Sequence, residues 1–332
     1  MPGGLRPVGI VATGAYVPDH IMTNKDLEKM IDTTDEWIRE KTGISARRII
    51  DPEDTTSDLA ARAAMQCLDE ADVDPMEVEL MIVATSSPDH IQPPTACVTQ
   101  GKIGAMNAGA FDVNTVCSGF NHAIAAGAGF IADGSHETVL VVGAEAYSRI
   151  LDFTDRTSCV YFGDGAGAVL LRPVEEGYGI LANYMRADGT KADAIKMLAG
   201  AAARPSSEET IANRENYFRM DGKAVWEFAT GIVPHAMDAC LKRAGLSRED
   251  LDFVITHQAN VNIIEHIVDF LGMSMEQTHM TIERYANTAA ASIAITLDEA
   301  LRIGKIKKGD VVGLLGFGGG LAWAANIIRW AV

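Results

Sequence analysis

Ala71-Asp-Val-Asp-Pro-Met-Glu-Val-Glu-Leu-Met-Ile-Val83 and Ala244-Gly-Leu-Ser-Arg-Glu-Asp-Leu-Asp-Phe-Val-Ile-Thr256 carry one pattern: a helix end, a turn, then a buried strand. Their offset is 173 (244 − 71). Thr138-Val-Leu-Val-Val-Gly143 matches Val311-Val-Gly-Leu-Leu-Gly316, and Asn114-Thr115 matches Asn287-Thr288, both at the same offset. That any two apolar strands look alike would explain each pair, but not the shared spacing. The period is too long for a solenoid. The chain therefore reads as two similar α/β halves, 1–175 and 176–332, joined near residues 172–180.

Working outward, short Val/Ile/Leu runs alternate with helical stretches. Thr55 to Ala71 reads as a helix capped by Thr56 or Ser57, with Leu59, Ala63 and Cys67 on one face. The uninterrupted apolar run Val139–Val142 suits a sheet covered on both faces. The polar stretch from Asp188 to Arg219 reads as an irregular loop or cap inserted into the second half. The apolar stretch Val311–Val332 is broken by Gly316-Phe-Gly-Gly-Gly320, so it reads as two strands joined by a glycine turn rather than a membrane span.

Composition narrows the function. Asp and Glu number 45 against 28 Lys and Arg in 332 residues, a formal charge of −17. Such a surface repels phosphate backbones and anionic membranes, which argues against nucleic acid and membrane partners. It also disfavours an acidic carrier, unless a local basic patch exists. The five cysteines are odd in number and form no C-x-x-C pair, and Met1–Ile10 has no apolar signal-like run, so a reduced, cytoplasmic location is expected.

Three residues stand at element ends. Cys117 follows the strand-like Ala110-Phe-Asp-Val and precedes an Ala/Gly-rich helix, where the positive helix end favours thiolate and should lower the thiol pKa. His257 closes the strand Phe253–Thr256, at the carboxyl end where open α/β sheets bind ligands. Asn287 is the repeat image of Asn114 and precedes a second Ala-rich helix, where a plain helix cap is the alternative. A Cys, a His and an Asn serve papain-like hydrolases or thioester-condensing enzymes, and a duplicated α/β chain is not a papain architecture. Gly163-Asp-Gly165-Ala-Gly-Ala168 fits a dinucleotide fingerprint, but strand-like Val169-Leu-Leu follows it instead of a helix, which rejects NAD binding. Gly318-Gly-Gly320 suits close approach of backbone N–H groups to a ligand oxygen.

Along nearly its whole length the sequence resembles the β-ketoacyl-acyl-carrier-protein synthase III family of thiolase-fold condensing enzymes. The residues carrying the likeness include Gly14-Ala-Tyr-Val-Pro18, Asp35-Glu-Trp-Ile38, Cys117-Ser-Gly, Phe162-Gly-Asp-Gly-Ala-Gly167, His257-Gln-Ala-Asn260, Asn287-Thr288 and Phe317-Gly-Gly-Gly320. The resemblance implies a duplicated five-layered α-β-α-β-α fold and an obligate homodimer. It also implies condensation of a short acyl-CoA with a malonyl thioester, with no cofactor or metal beyond the coenzyme A thioesters themselves. Cys117 would be the acyl-accepting nucleophile, with the backbone N–H groups of Cys117 and Gly319 as its oxyanion hole. His257 and Asn287 would hydrogen-bond the malonyl carbonyl oxygen. Trp37 and Arg156 would hold the nucleotide end of CoA, Asn260 the pantetheine arm, and Phe162 would lie near the pocket. Gln92 would reach the pocket floor of the partner subunit.

The chain departs from the family where acyl carrier protein docks. Asn262 replaces a usual Arg, Asp269-Phe270 falls where a Lys pair is common, and Glu227 replaces a usual Lys. Lys41 stands where an Arg is common near the CoA entrance. The basic docking patch is thus expected to be absent, and malonyl-CoA, as in the acetoacetyl-CoA synthase branch, is the alternative donor. A pure acyltransferase would often lack the Asn, and a non-catalytic homologue would lack the Cys; both are present.

Overall fold

The computed structural model describes residues 5–332. The first sheet contains β1 (Val8–Tyr16), β4 (Leu80–Ala84), β5 (Gly109–Val113), β6 (Val139–Glu145) and β7 (Gly165–Pro173), ordered β1-β7-β6-β4-β5. The second contains β8 (Gly179–Ala187), β11 (Phe253–Thr256), β12 (Val311–Gly318) and β13 (Ala322–Arg329), ordered β11-β12-β13-β8. A parallel bridge from Val254 to Thr278 occupies the place of a fifth strand. Smaller pairs are β2 (Ile21–Thr23) with β3 (Ala46–Arg48), and β9 (Ile195–Met197) with β10 (Phe218–Met220).

Period-two alternation sorts the strand side chains into layers. Leu80, Ile82, Val139 and Val141 of the first sheet pack inward with Phe253, Ile255, Val312 and Leu314 of the second. Between them lie α5 (Gly119–Ala132), through Phe120 and Ile124, and α11 (Ser292–Arg302), through Ile293 and Leu297. Met81, Val83, Leu140 and Val142 face the other way, onto α3 (Thr56–Glu70) and α4 (Thr95–Ile103). The far face of the second sheet packs on α8 (Pro234–Ala244) and α9 (Val261–Leu271). The stack is α-β-α-β-α, the five layers expected, and strands covered on both faces are accordingly mostly apolar, with buried Glu145 and Asn326 among the exceptions. Short helices α1 (Asn24–Leu27), α2 (Asp35–Thr42), α6 (Glu208–Ala212), α7 (Gly222–Gly231) and α10 (Ile282–Tyr285) fill the edges.

The 173-residue offset relates β4 to β11 and the start of α5 to the start of α11. The two halves come into close contact where a strand glycine of each meets the start of the other's central helix. A Cβ on Gly143 would lie 2.5 Å from the Ala290 carbonyl oxygen, and one on Gly316 would strike Asn121 Oδ1 and come within 3.2 Å of Ser118 Cα.

Two expectations change. The cap of α3 is Thr55, whose N–H and hydroxyl both donate to Asp58 Oδ2 (2.9 and 2.8 Å). Thr56 and Ser57 are spent elsewhere, donating to the Ser87 carbonyl oxygen and Asp89 Oδ2 (2.6 Å each). The stretch 188–219 is not wholly irregular, since it builds β9, α6 and most of β10. The stretch Val311–Val332 forms β12 and β13, and among the described residues no helix is long and apolar enough to cross a membrane.

Candidate active site

The turn Val116–Ser118 leads from β5 into α5 and buries the Cys117 side chain. His257 is set by the end of β11, and its backbone N–H donates to the Leu315 carbonyl oxygen of β12 (2.8 Å). Asn287 is clamped on both sides of its backbone. Its N–H donates to the Tyr161 carbonyl oxygen (2.9 Å), and its own carbonyl oxygen accepts from Gly163 N–H (3.1 Å). Three residues separated by up to 170 positions thereby line one small cavity of about 40 Å³, with Phe162, Phe317 and Gly318 beside them. β9 and β10 cover it through Ile195, Phe218 and Met220.

The carboxamide oxygen of Asn287 accepts from Ala289 N–H (2.8 Å), while its Nδ2 has no protein partner among the described residues. His257 Nδ1 lies 2.8 Å from Ser292 Oγ, which also accepts from Gln258 N–H (3.3 Å). The imidazole sits edge-on to Phe317, with ring centroids 5.1 Å apart. Burial pushes the His257 pKa down to about 3, so the ring is neutral at physiological pH.

The expected lowering of the Cys117 pKa is corrected. Burial, with the Glu145 carboxylate second, pushes this thiol above its ordinary value. The side chain is only 6% exposed, so the loss of hydration outweighs the attraction of the α5 amino end. Glu145 is itself buried and pushed up to about 7, although Ser86, Ser87 and Ala290 donate hydrogen bonds to it. Ser86 Oγ bridges Glu145 Oε1 (2.9 Å) to the Tyr147 hydroxyl (3.0 Å), and Tyr147 packs in the cluster that holds Cys117.

A larger cavity of about 360 Å³ shares Phe162, Met220, Val225 and Asn287 with the small one and opens at Trp37, Lys41 and Trp226. Together the two form a path from the surface to the thiol. Phe162 stacks on Tyr147 at 4.6 Å and meets Phe218 edge-on at 5.0 Å, which holds the wall in place. Asn260 lines the larger cavity and also caps α9, its Oδ1 accepting from Ile263 N–H (2.9 Å). Arg156 does not line either cavity; its guanidinium lies 4.7 Å above the Trp37 ring at the rim and donates to the Asp32 carbonyl oxygen (2.8 Å). In the glycine run, Gly318 makes the close approach, a Cβ there falling 2.7 Å from the Cys117 nitrogen, while Gly319 faces Val116 and Ile195. Gln92 is exposed and reaches neither cavity of its own chain.

Sequence reasoning missed Ser292 and Glu145. Ser292 ends Ala289-Ala-Ala-Ser292 and reads as an ordinary helix-start residue, 35 positions from the histidine it touches. Glu145 had a visible signal: a lone acid closing an otherwise apolar strand. Among the described residues no three His, Cys, Asp or Glu side chains are grouped to hold a metal ion.

Comparison with known proteins points one way. The sequence model of the 3-oxoacyl-[acyl-carrier-protein] synthase III family matches residues 111–189, and that of its C-terminal part matches residues 241–330. The β-ketoacyl-[acyl-carrier-protein] synthase III of Caldanaerobacter subterraneus subsp. tengcongensis is 46% identical over 323 residues, covering 97% of this chain and 98% of that protein. The crystal structure of 3-oxoacyl-[acyl-carrier-protein] synthase III from Aquifex aeolicus superposes with a TM-score of 0.89 at 39% identity, over 97% of this chain and 100% of that one. The corresponding Pseudomonas aeruginosa enzyme gives 0.90 at 34%, over 98% and 99%.

Proposed function

The chain belongs to the 3-oxoacyl-[acyl-carrier-protein] synthase III family of thiolase-fold condensing enzymes, acyltransferases of fatty acid biosynthesis, and on that footing we propose that Cys117, His257 and Asn287 join a short acyl group to a malonyl unit. The observation that carries the reading is the meeting of these three side chains around one cavity at the inner end of a path from the surface.

In the first half-reaction Cys117 Sγ attacks the acyl-CoA carbonyl carbon, the C–S bond to CoA breaks, and the thiol proton ends on the departing CoA sulfur. The backbone N–H groups of Cys117 and Gly319 hold the oxyanion; one such donor is worth about 2.7–4 kcal/mol of barrier. Two half-reactions through a covalent acyl-enzyme imply ping-pong kinetics. In the second half-reaction the malonyl carboxylate leaves as CO₂. His257 and Asn287 donate to the thioester oxygen as the enolate forms, and its carbon attacks the acyl-Cys117 carbonyl. The released thiolate takes one proton from solvent. A neutral His257 and a free Asn287 Nδ2 both suit donation to an oxygen. The raised Cys117 pKa keeps the resting site as a thiol and confines the thiolate to the moment of attack.

Trp37 at the rim would stack on the flat base of CoA, with Arg156, packed on the Trp37 ring, contacting the same end, and Asn260, with its oxygen committed to the α9 cap, would offer Nδ2 to the pantetheine arm. We take the chain to act as a homodimer, with β5 as the edge strand available for pairing and the exposed Gln92 reaching the partner's pocket. The join of the two halves falls between Pro173 and Gly179.

The malonyl donor carried on acyl carrier protein is the main reading. One observation favours malonyl-CoA as a second: the rim helices carry Glu227, Asn262 and Asp269, and Lys223 and Lys41 both have acidic neighbours within 4 Å, Glu227 and Glu40. An acidic carrier would gain little steering there. Steady-state rates with malonyl-carrier and malonyl-CoA at low salt decide between the two. A carrier preference upholds the main reading. No condensation from either donor, by an enzyme that still acylates, would overturn both.

A further inference from the structure

We propose that Ser292 is a positioning residue that holds His257 in the tautomer with its proton on Nε2. The inference deepens the proposed function, since it rests on His257 acting as a hydrogen-bond donor to the malonyl carbonyl oxygen.

A neutral imidazole has one N–H and one bare nitrogen, and only the N–H can donate to a developing enolate. Which nitrogen carries the proton is decided by the partner of the other. Among the described residues His257 Nδ1 has one hydrogen-bond partner, Ser292 Oγ, at 2.8 Å. The serine hydroxyl has one proton to give, and two arrangements are possible. In one, Nδ1–H donates to Ser292 Oγ. The oxygen then accepts from Nδ1 and from Gln258 N–H (3.3 Å), and its own proton has no acceptor among the described residues. Ser292 is 1% exposed, so that proton would be stranded away from water, which typically costs about 1–3 kcal/mol. In the other, Ser292 O–H donates to Nδ1 while Gln258 N–H occupies a lone pair on the oxygen. The serine proton and Nδ1 are then both satisfied, and Nε2 carries the imidazole proton beside the cavity that His257 lines.

The backbone reinforces this arrangement. Ser292 opens α11, and its carbonyl oxygen accepts from Thr296 Oγ1 (2.7 Å), so the residue is fixed from both ends. Gln258 follows His257 in the chain, so the N–H that orients the serine moves with the ring it serves. The side chain of Gln258 is also fixed, its Nε2 donating to the Thr256 carbonyl oxygen (2.9 Å) and its Oε1 accepting from Thr281 N–H (3.0 Å). Neither Ser292 nor Gln258 lines the cavity that holds Cys117 or hydrogen-bonds its side chain, so the acylation half-reaction is expected not to depend on them. Ser292 therefore separates the two half-reactions in a way that a general packing role would not.

The test has two arms. In the wild-type enzyme labelled with ¹⁵N-histidine, the His257 signals are assigned by their loss in His257→Gln. The proposal predicts a bare Nδ1 and a protonated Nε2 between pH 6 and 8; the reverse pattern overturns it, and this arm needs no Ser292 variant to fold. In the second arm, Ser292→Ala should slow condensation from preformed acyl-enzyme by at least about tenfold, the lower end of the cost when a metal-bound histidine loses its orienting partner, and change Cys117 acylation less than about twofold. Ser292→Thr, which keeps the hydroxyl, should recover most of the loss. Wild-type condensation by Ser292→Ala, with His257→Ala inactive, sinks the role of Ser292 alone. Condensation by His257→Ala at the wild-type rate sinks the reading on which it rests.

Discussion

Val116 and Ala289, 173 residues apart, share a left-handed backbone, with φ of 48° and 44°. Each stands at the turn that starts a central helix, one before Cys117 and the other two residues after Asn287. A non-glycine residue held there costs about 1–3 kcal/mol and persists only where the surroundings impose it. The duplication has kept the same strained turn at both entrances to the site. Ala289→Gly should therefore change stability by less than about 1 kcal/mol, because relief of φ strain offsets the added chain entropy and the lost methyl. Ala290→Gly, next to it at ordinary φ and equally buried, should lose more. Equal losses in urea titrations would contradict the assignment of strain.

Gly143 is where the first sheet meets the start of the second half's central helix. A Cβ there meets the Ala290 carbonyl oxygen at 2.5 Å and the Ala290 carbonyl carbon at 3.0 Å, both backbone atoms that cannot swing away. Gly143→Ala should destabilise the protein by about 1–3 kcal/mol or more, the usual range for an overpacked core. A thermal midpoint equal to wild type would show that the two halves are not in contact at this point.

Two buried groups give stability opposite dependences on pH. His257 drops to about 3 on folding from an ordinary 6.5, so its contribution is present above pH 6.5 and is lost as pH falls towards 3. Glu145 rises to about 7 from 4.5, so its contribution is full below pH 4.5 and is lost as pH rises through 7. Between pH 4.5 and 6.5 the two slopes oppose each other. His257→Gln should make stability fall more steeply with rising pH in that window, and Glu145→Gln should make it rise. Urea midpoints measured across pH 4.5–8 check both, and unchanged slopes would contradict them.

The cover over Cys117 is anchored by charge. Arg214 donates to both oxygens of buried Asp152, and Arg219 bridges Asp152 and Asp155 at 3.3 and 2.9 Å. The Arg214 guanidinium holds the Asp152 pKa well below the carboxylate range. Asp152→Ala should release residues 188–220, seen as faster amide exchange there and as a raised KM for acyl-CoA, with the sheets unchanged. Exchange confined to other segments would contradict an anchoring role.

The layers were legible because both are statements about burial. A repeat of apolar strands at one offset specifies two similar sheets, and the turns that precede the Ala-rich helices specify where Cys117 and Asn287 stand. His257 followed from its place at a strand end. What could not be read depends on contacts between distant segments. The sign of the Cys117 shift was missed because helix polarity is local, whereas the burial that outweighs it comes from Tyr147, Phe162 and Phe218, three residues from elsewhere in the chain. Ser292 was invisible because a serine at a helix start is ordinarily a cap. The cap of α3 falls at Thr55 rather than at the expected Thr56 or Ser57, because both of those are claimed by the loop at Ser87–Asp89, a contact with no local signature.

Covalent transfer through Cys117 is the central claim, and intact mass spectrometry of the enzyme after incubation with acetyl-CoA tests it most directly. The wild type should gain one acetyl group per chain, retained on denaturation and discharged on addition of a malonyl thioester. Cys117→Ala should gain none, although four other cysteines remain. An acetyl group on the Cys117→Ala chain, or a wild-type adduct that a malonyl thioester does not discharge, would contradict the account.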